Sequence, residues 1–262
     1  MTRKTYKALL VTVTVICIIA GTIIHFTGRF SFDRIYRSCR RHTETVRTHD
    51  EGSRKTAFAD SVDNFASIDI DISYADLDVV VGDDYGYSYE GDSSLKPEVT
   101  VEDGVLRLRD NSEKHRFRLG AFRSRRADIV ITVPSDAVLD EIKIDMNAGD
   151  VDIDTIRSRQ ATININAGDF DADDCNLENI SVDTDMGDVD FNNCYFKNMN
   201  ASLDMGDFSV SPSHSVSDYD IDLSCSLGKV SFYGKGHGTQ YSQHGSAGSI
   251  KIDCSMGEIR IY

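Results

Sequence analysis

Tryptophan is absent from this 262-residue chain, proline occurs only three times, and no two of the six cysteines form a Cys-x-x-Cys pair. The missing Cys-x-x-Cys spacing argues against a structural zinc module, and the scarcity of proline argues against an extended polyproline segment. Neither a Gly-x-Ser-x-Gly nucleophile elbow nor a glycine-rich phosphate loop is present. No sequence motif therefore points to nucleophilic or phosphoryl-transfer catalysis. Basic residues are also scarce over most of the chain. Residues 62–262 hold 17 Lys/Arg against 38 Asp/Glu, whereas residues 1–61 hold 11 against 5. A folded region this acidic repels nucleic acid and favours cations or basic peptides as partners.

Four copies of one short phrase stand out against this background. They are Asn147-Ala148-Gly149-Asp150, Asn166-Ala167-Gly168-Asp169, Asp185-Met186-Gly187-Asp188 and Asp204-Met205-Gly206-Asp207, spaced 19 residues apart. Looser copies follow at Gly228 and Gly257. A period near 20 residues marks a solenoid, in which each repeat buries its apolar face by stacking on its neighbours. Apolar residues recur seven, five, three and one before each glycine, and two and four after it. In one repeat these are Ile180, Val182, Thr184, Met186, Val189 and Phe191. Steps of two are the period of a strand face, not of a helix. The step of three across Gly-Asp requires a corner, where Gly149, Gly168, Gly187, Gly206, Gly228 and Gly257 serve as turn residues. On this register Ile144, Ile163, Val182, Ala201 and Leu223 form one buried stack, and Asp150, Asp169, Asp188 and Asp207 an outward ladder. The expected fold is all-β: a right-handed parallel β-solenoid-like domain with ~19-residue coils, preceded by one transmembrane helix.

The domain plan follows from the same pass. Residues 1–7 form a cytoplasmic tail. Residues 8–27 carry no charged side chain apart from His25 and are long enough to span a bilayer. Residues 28–61 read as a basic juxtamembrane linker suited to anionic headgroups, and residues 62–262 as the repeat domain. No cleavage site follows the apolar run, which makes it an anchor rather than a removed signal. Within the domain, Ala75-Asp76 stands where later coils have Gly-Asp, giving a degenerate first coil. Glu102-Asp103-Gly104 between two apolar runs signals a hairpin. Lys114 to Arg126 is a basic cluster with Phe117 and Phe122 interleaved, best read as a loop whose arginines neutralise the acidic coils. His237 and His244 share an insertion, Gly234 to Gly248, that reads as a surface loop.

The aspartate ladder offers oxygens for a metal, with Asp150, Asp169, Asp188 and Asp207 as weak candidates, yet parallel ladders do not make ligands converge. No cofactor is expected. Cys175 and Cys194 occupy equivalent positions of adjacent coils, as do Cys225 and Cys254. Both pairs read as buried thiol ladders, with disulfides the alternative.

Residues 65–262 resemble the putative-adhesin, or toastrack, β-strand-repeat family of bacterial envelope proteins. The phrases carrying the resemblance are Ile68-Asp69-Ile70-Asp71-Ile72-Ser73-Tyr74-Ala75-Asp76-Leu77, Ile131-Thr132-Val133-Pro134 and the Gly-Asp repeats. With an amino-terminal anchor the chain looks like the LiaG-type members linked to envelope stress. The resemblance implies a single-pass protein of the cell membrane with an extracytoplasmic carboxy-terminal domain, and a role in protein interaction or sensing. It supplies no catalytic residues. The alternative reading is an adhesin-like or polysaccharide-active solenoid, for which Arg157 and Arg260 show no convergence with the acids.

Overall fold

The computed structural model describes residues 55–93, 95–110 and 127–262. The apolar run 8–27, Cys17, Cys39 and the basic cluster 114–126 lie outside the described residues. No helix among the described residues is long and apolar enough to cross a membrane. The secondary structure of the described residues is β-strand, and the first strand begins at Lys55.

The amino-terminal third contains β1 (Lys55–Ser61), β2 (Ser67–Tyr74), β3 (Asp76–Gly82), β4 (Gly86–Asp92), β5 (Glu98–Glu102), β6 (Val105–Arg109) and β7 (Ala127–Pro134). The regular coils follow. They are β8 (Leu139–Ala148) with β9 (Val151–Asp154), and β10 (Arg157–Ala167) with β11 (Phe170–Asp173). Next come β12 (Asn176–Met186) with β13 (Val189–Cys194), and β14 (Asn198–Met205) with β15 (Phe208–Pro212). The carboxy-terminal end holds β16 (Asp220–Phe232), β17 (Lys235–Gly236), β18 (Gln240–Gln243) and β19 (Ser249–Ile261).

Each regular coil contributes one strand before the Gly-Asp corner and one after it. The strands before the corner pair in parallel in the order β2–β8–β10–β12–β14. Those after the corner pair as β3–β9–β11–β13–β15. Register is strict, with Ile144, Ile163, Val182 and Ala201 opposite one another in turn. All four are buried, as are the columns seven and three before the glycine and two and four after it. In one column a small residue separates two large ones, since Ala172 sits between Ile153 and Phe191. Phe191 in turn packs edge-on to Phe170 and stacks on Phe208. Burial of each such side chain contributes roughly 1.5–3 kcal/mol. One column has a flaw: Thr184 is buried with its hydroxyl unpartnered.

Two expectations are corrected. The residue one before the glycine does not join the core. Met186, Met205, Met256 and Leu227 are 47%, 40%, 45% and 67% exposed, because the chain already bends at this position and turns the side chain outward. The other concerns order: Leu223 is buried in the stack as expected, but it does not adjoin Ala201. The strand β19 inserts between β14 and β16, so Ala201 faces Ile252, and Ile252 faces Leu223. The spatial order of the last two coils is the reverse of their sequence order.

The amino-terminal end repeats this device. Strand β2 lies between β6 and β8, and β3 between β7 and β9. The strands β6 and β7 therefore lie beside β2 and β3 as a further coil at this end. Antiparallel strands close both ends. The strands β5, β4 and β1 do so at one end, and β17 and β18 at the other. Ala75 occupies the glycine position of the β2–β3 coil, as its sequence suggests, since Ala75 N–H donates to Ala148 O as a corner glycine does. The β5–β6 hairpin turns at Asp103 and Gly104, both at positive φ, as Asp-Gly requires.

Candidate functional site

The corner builds the most distinctive surface. Gly187 has φ +147°, and a Cβ placed there would lie 1.9 Å from the carbonyl oxygen of Gly168. Backbone stacks on backbone at this point, which only glycine permits. The N–H of the following aspartate then points at the preceding coil, where the carboxylate of that coil's aspartate accepts it. Asp169 N–H donates to Asp150 Oδ1 at 3.0 Å, Asp188 N–H to Asp169 Oδ1 at 2.8 Å, and Asp207 N–H to Asp188 Oδ1 at 2.8 Å. Glu258 N–H continues the chain to Asp207 Oδ1 at 2.9 Å. The ladder is thus first a set of charge-assisted caps on otherwise unpaired corner donors.

Electrostatics oppose what hydrogen bonding favours. A second column, Asp78, Asp152, Asp171 and Asp190, stands in register two residues further on. Neighbours along it are about 4.8 Å apart. Burial, with Asp78 and Asp171 on either side, pushes the Asp152 carboxyl up to about 7. Burial together with Asp190 pushes Asp171 up to about 6. Asp169 and Asp190 are also raised, burial being the first cause of each. Among the described residues, neutralising ion pairs lie at the carboxy-terminal end. The β19 insertion brings Arg260 to Asp207 at 3.1 Å and to Glu258 at 2.5 Å, and Lys229 reaches Glu258 at 2.9 Å. Sequence order hid this, because Arg260 lies far from Asp207 along the chain.

The metal candidates Asp150, Asp169, Asp188 and Asp207 therefore lie in one line, each with one oxygen engaged by a neighbouring N–H. Among the described residues no group of three or more His, Cys, Asp or Glu is placed to share a metal ion. Gly149, Gly168, Gly206 and Gly257 share the positive φ of Gly187. Gly228 does not, and β16 runs through its corner unbroken.

The four described cysteines are free and buried. Cys175 Sγ donates to Asp173 O at 3.1 Å, and Cys194 Sγ to Ala172 O at 3.2 Å. Burial pushes the Cys254 thiol up to about 12, which keeps it protonated and unreactive. In the insertion, β17 and β18 pair back on β16, and His237 lies against Tyr241 while Nδ1 of His244 is 3.1 Å from Asp220 Oδ1.

Two further surfaces were not singled out from sequence. An open groove of about 490 Å³ runs beside Gln160, Asn179, Asn198 and Ser249, with Asp222 and Lys251 on its rim. Its amides are linked: Asn198 Nδ2 donates to Asn179 Oδ1 at 2.8 Å, and Ser249 Oγ to Asn198 Oδ1 at 3.0 Å. The other is the exposed column beside the corner glycines. Its signal was present in the repeated Ala/Met-Gly-Asp phrase, but alternation alone assigned it to the core.

No curated protein shows significant similarity to the chain. A solved structure of a putative cell adhesion protein from Clostridium sporogenes is similar in fold, at 18% identity and a TM-score of 0.51. That match covers 79% of this chain and 98% of the other. A putative adhesin from Bacteroides fragilis matches at 15% identity and a TM-score of 0.47, covering 79% and 97%. Residues 65–261 match the Toastrack DUF4097 family over the whole succession of coils, and the chain belongs to that family.

Proposed function

We propose that this protein is a membrane-anchored, non-enzymatic interaction or sensing module of the bacterial cell envelope, of the LiaG type and with an envelope-stress role. The observation that carries the reading is the outer face of the corner. The stack presents acidic and apolar columns at one-coil spacing, with Arg260 and Lys229 paired to the acids at its carboxy-terminal end. The uncharged run 8–27 supplies the anchor. On this reading the amino terminus is cytoplasmic, and the repeat domain lies outside the membrane.

Protease treatment of intact protoplasts tests the reading. The carboxy-terminal domain is expected to be digested or trimmed in closed cells. Its survival until lysis would overturn the topology.

A second reading, an adhesin-like solenoid that binds polysaccharide, draws support from the groove beside Gln160, Asn179 and Asn198. Amide side chains set along a groove can hydrogen-bond sugar hydroxyls. Glycan binding that is lost in Asn179→Ala/Asn198→Ala would favour it.

A further inference from the structure

Five of the nine exposed large hydrophobic residues described fall on one line. In spatial order the column reads Tyr74, Ala148, Ala167, Met186, Met205, Met256 and Leu227. Successive members are set opposite one another by strand register or by the corner hydrogen bonds. Six steps of about 4.8 Å give it a length of about 29 Å. The apolar surface is not diluted by polar neighbours within the column. Unbranched methionine side chains adapt their shape to a partner.

Carboxylates border the column on both sides along the chain at Met186 and Met205. Asp185 precedes Met186 and Asp188 follows two residues later, while Asp204 and Asp207 bracket Met205 in the same way. Asp185, Asp188 and Asp204 are exposed.

We infer that this methionine column is a docking strip for a cationic amphipathic helix of a partner protein. The inference rests on the reading of the domain as an interaction module and names the partner's chemistry. Four arguments select that occupant. A helix lying along the column presents one apolar side chain per 5.4 Å turn, close to the coil spacing, and about 18 residues cover the strip. Lys or Arg flanking those apolar positions would meet the aspartates on either side. An anionic lipid surface would be repelled by the same aspartates. A second copy of this chain would bring acid against acid.

The test uses the full chain in zwitterionic phosphatidylcholine nanodiscs and fluorescent synthetic 18-residue helices. One carries leucine at every turn flanked by lysine, another the same leucines flanked by glutamate. The lysine peptide is expected to bind, with affinity falling about tenfold between 50 and 200 mM salt, and the glutamate peptide to fail. Met186→Gln/Met205→Gln/Met256→Gln should weaken binding at least about tenfold at an unchanged melting temperature, since all three side chains are exposed. Asp185→Asn/Asp204→Asn should flatten the salt dependence while leaving part of the affinity. Equal binding of both peptides, or binding indifferent to the methionine changes, would overturn the inference. So would dimerisation lost in the triple variant, which assigns the strip to a second copy. Binding seen only after removal of residues 111–126 would assign it to that segment of the chain itself. The protoplast result is independent of these outcomes, so the topology and the docking strip fail separately.

Discussion

Between β8 and β15 the chain advances 19 residues for every strand spacing, whereas at both ends it doubles back and lays a later strand outside or inside an earlier one. In the middle, each coil is a copy of its neighbour, and corner glycine stacks on corner glycine. At the ends, the coils β6–β7 and β16 are held by strands distant in sequence, and antiparallel edges close them. The contrast shows two ways of ending a stack. A bare parallel edge would expose a row of unpaired N–H and C=O groups, and both ends cover it with reversed strands. Tolerance follows from geometry. The middle has no room for an added atom at the corner, while the ends accept loops such as Gly234 to Gly248.

The largest expected effect tests that difference directly. Gly187→Ala combines a positive φ with a Cβ 1.9 Å from Gly168 O, and should cost about 4 kcal/mol or more in a urea melt. Gly238→Ala, in the carboxy-terminal cap, has φ +73° and no atom within 4 Å of the added carbon, so about 1 kcal/mol is expected. Equal losses at the two sites would mean that the corner stack is not what fixes the coils.

Legibility divides along the same line. The regular coils could be read residue by residue because one phrase recurs at a fixed interval and strand period two assigns the faces. Ile163, Val182 and Phe191 are buried as that pattern requires. The order of β19 and β16 could not be read, since both carry the same pattern and only long-range pairing decides which lies next to β14. That is why the Arg260–Asp207 pair was invisible. The methionine column was misassigned for a different reason. Alternation counts positions along a strand and does not see that a corner begins at the residue before its glycine. The capping role of Asp150, Asp169 and Asp188 escaped too, because it depends on where a backbone N–H points.

Acidity offers the next test of middle against end. Asp152 and Asp171 have their carboxyls raised in the folded state, above the ordinary value near 4. Below about pH 4 both folded and unfolded chains are protonated there. Between about pH 4 and 7 only the folded chain holds these protons, so stability falls as pH rises through that window. His214, lowered by burial, acts in the opposite sense and lowers stability as pH falls below its unfolded value. Thermal melts should therefore drop from pH 5.5 to pH 8. Asp152→Asn should raise stability at pH 8 by about 1 kcal/mol after solvent screening and make the profile shallower. At the neutralised end, Asp207→Asn would instead lose the Arg260 pair and gain nothing. A steeper profile in Asp152→Asn would contradict the origin given for the shift.

Removing one cap is a comparable but separable change. Asp169→Ala leaves the Asp188 N–H without its acceptor and should cost about 1 kcal/mol. Asp169→Asn keeps a carbonyl oxygen at the same place, removes one charge from the column, and should be close to neutral. Identical losses in the two variants would show that charge rather than the hydrogen bond matters at the corner.

The smallest effect lies at the opposite turn of the regular coils, where Thr155, Asp174 and Asn193 all adopt positive φ, at 61°, 52° and 52°. Asn and Asp tolerate this region because their short polar side chains hydrogen-bond locally, and a β-branched threonine does not. Asn193 Nδ2 accordingly donates to Asp174 Oδ1, while Thr155 Oγ1 bonds only sideways to Asp154 Oδ1 at 2.6 Å. Thr155 also belongs to the first coil of the regular series, next to the amino-terminal cap, where the sequence is least regular. Thr155→Asn should stabilise by about 0.5–1 kcal/mol, and the reciprocal Asn193→Thr should destabilise by a similar amount. Both are read as shifts in denaturation midpoint at constant slope, since the exposed turn adds little to the surface released on unfolding. If Thr155→Asn destabilised instead, the Thr155–Asp154 hydrogen bond would outweigh the backbone strain, and this coil would belong energetically with the cap rather than with the regular series.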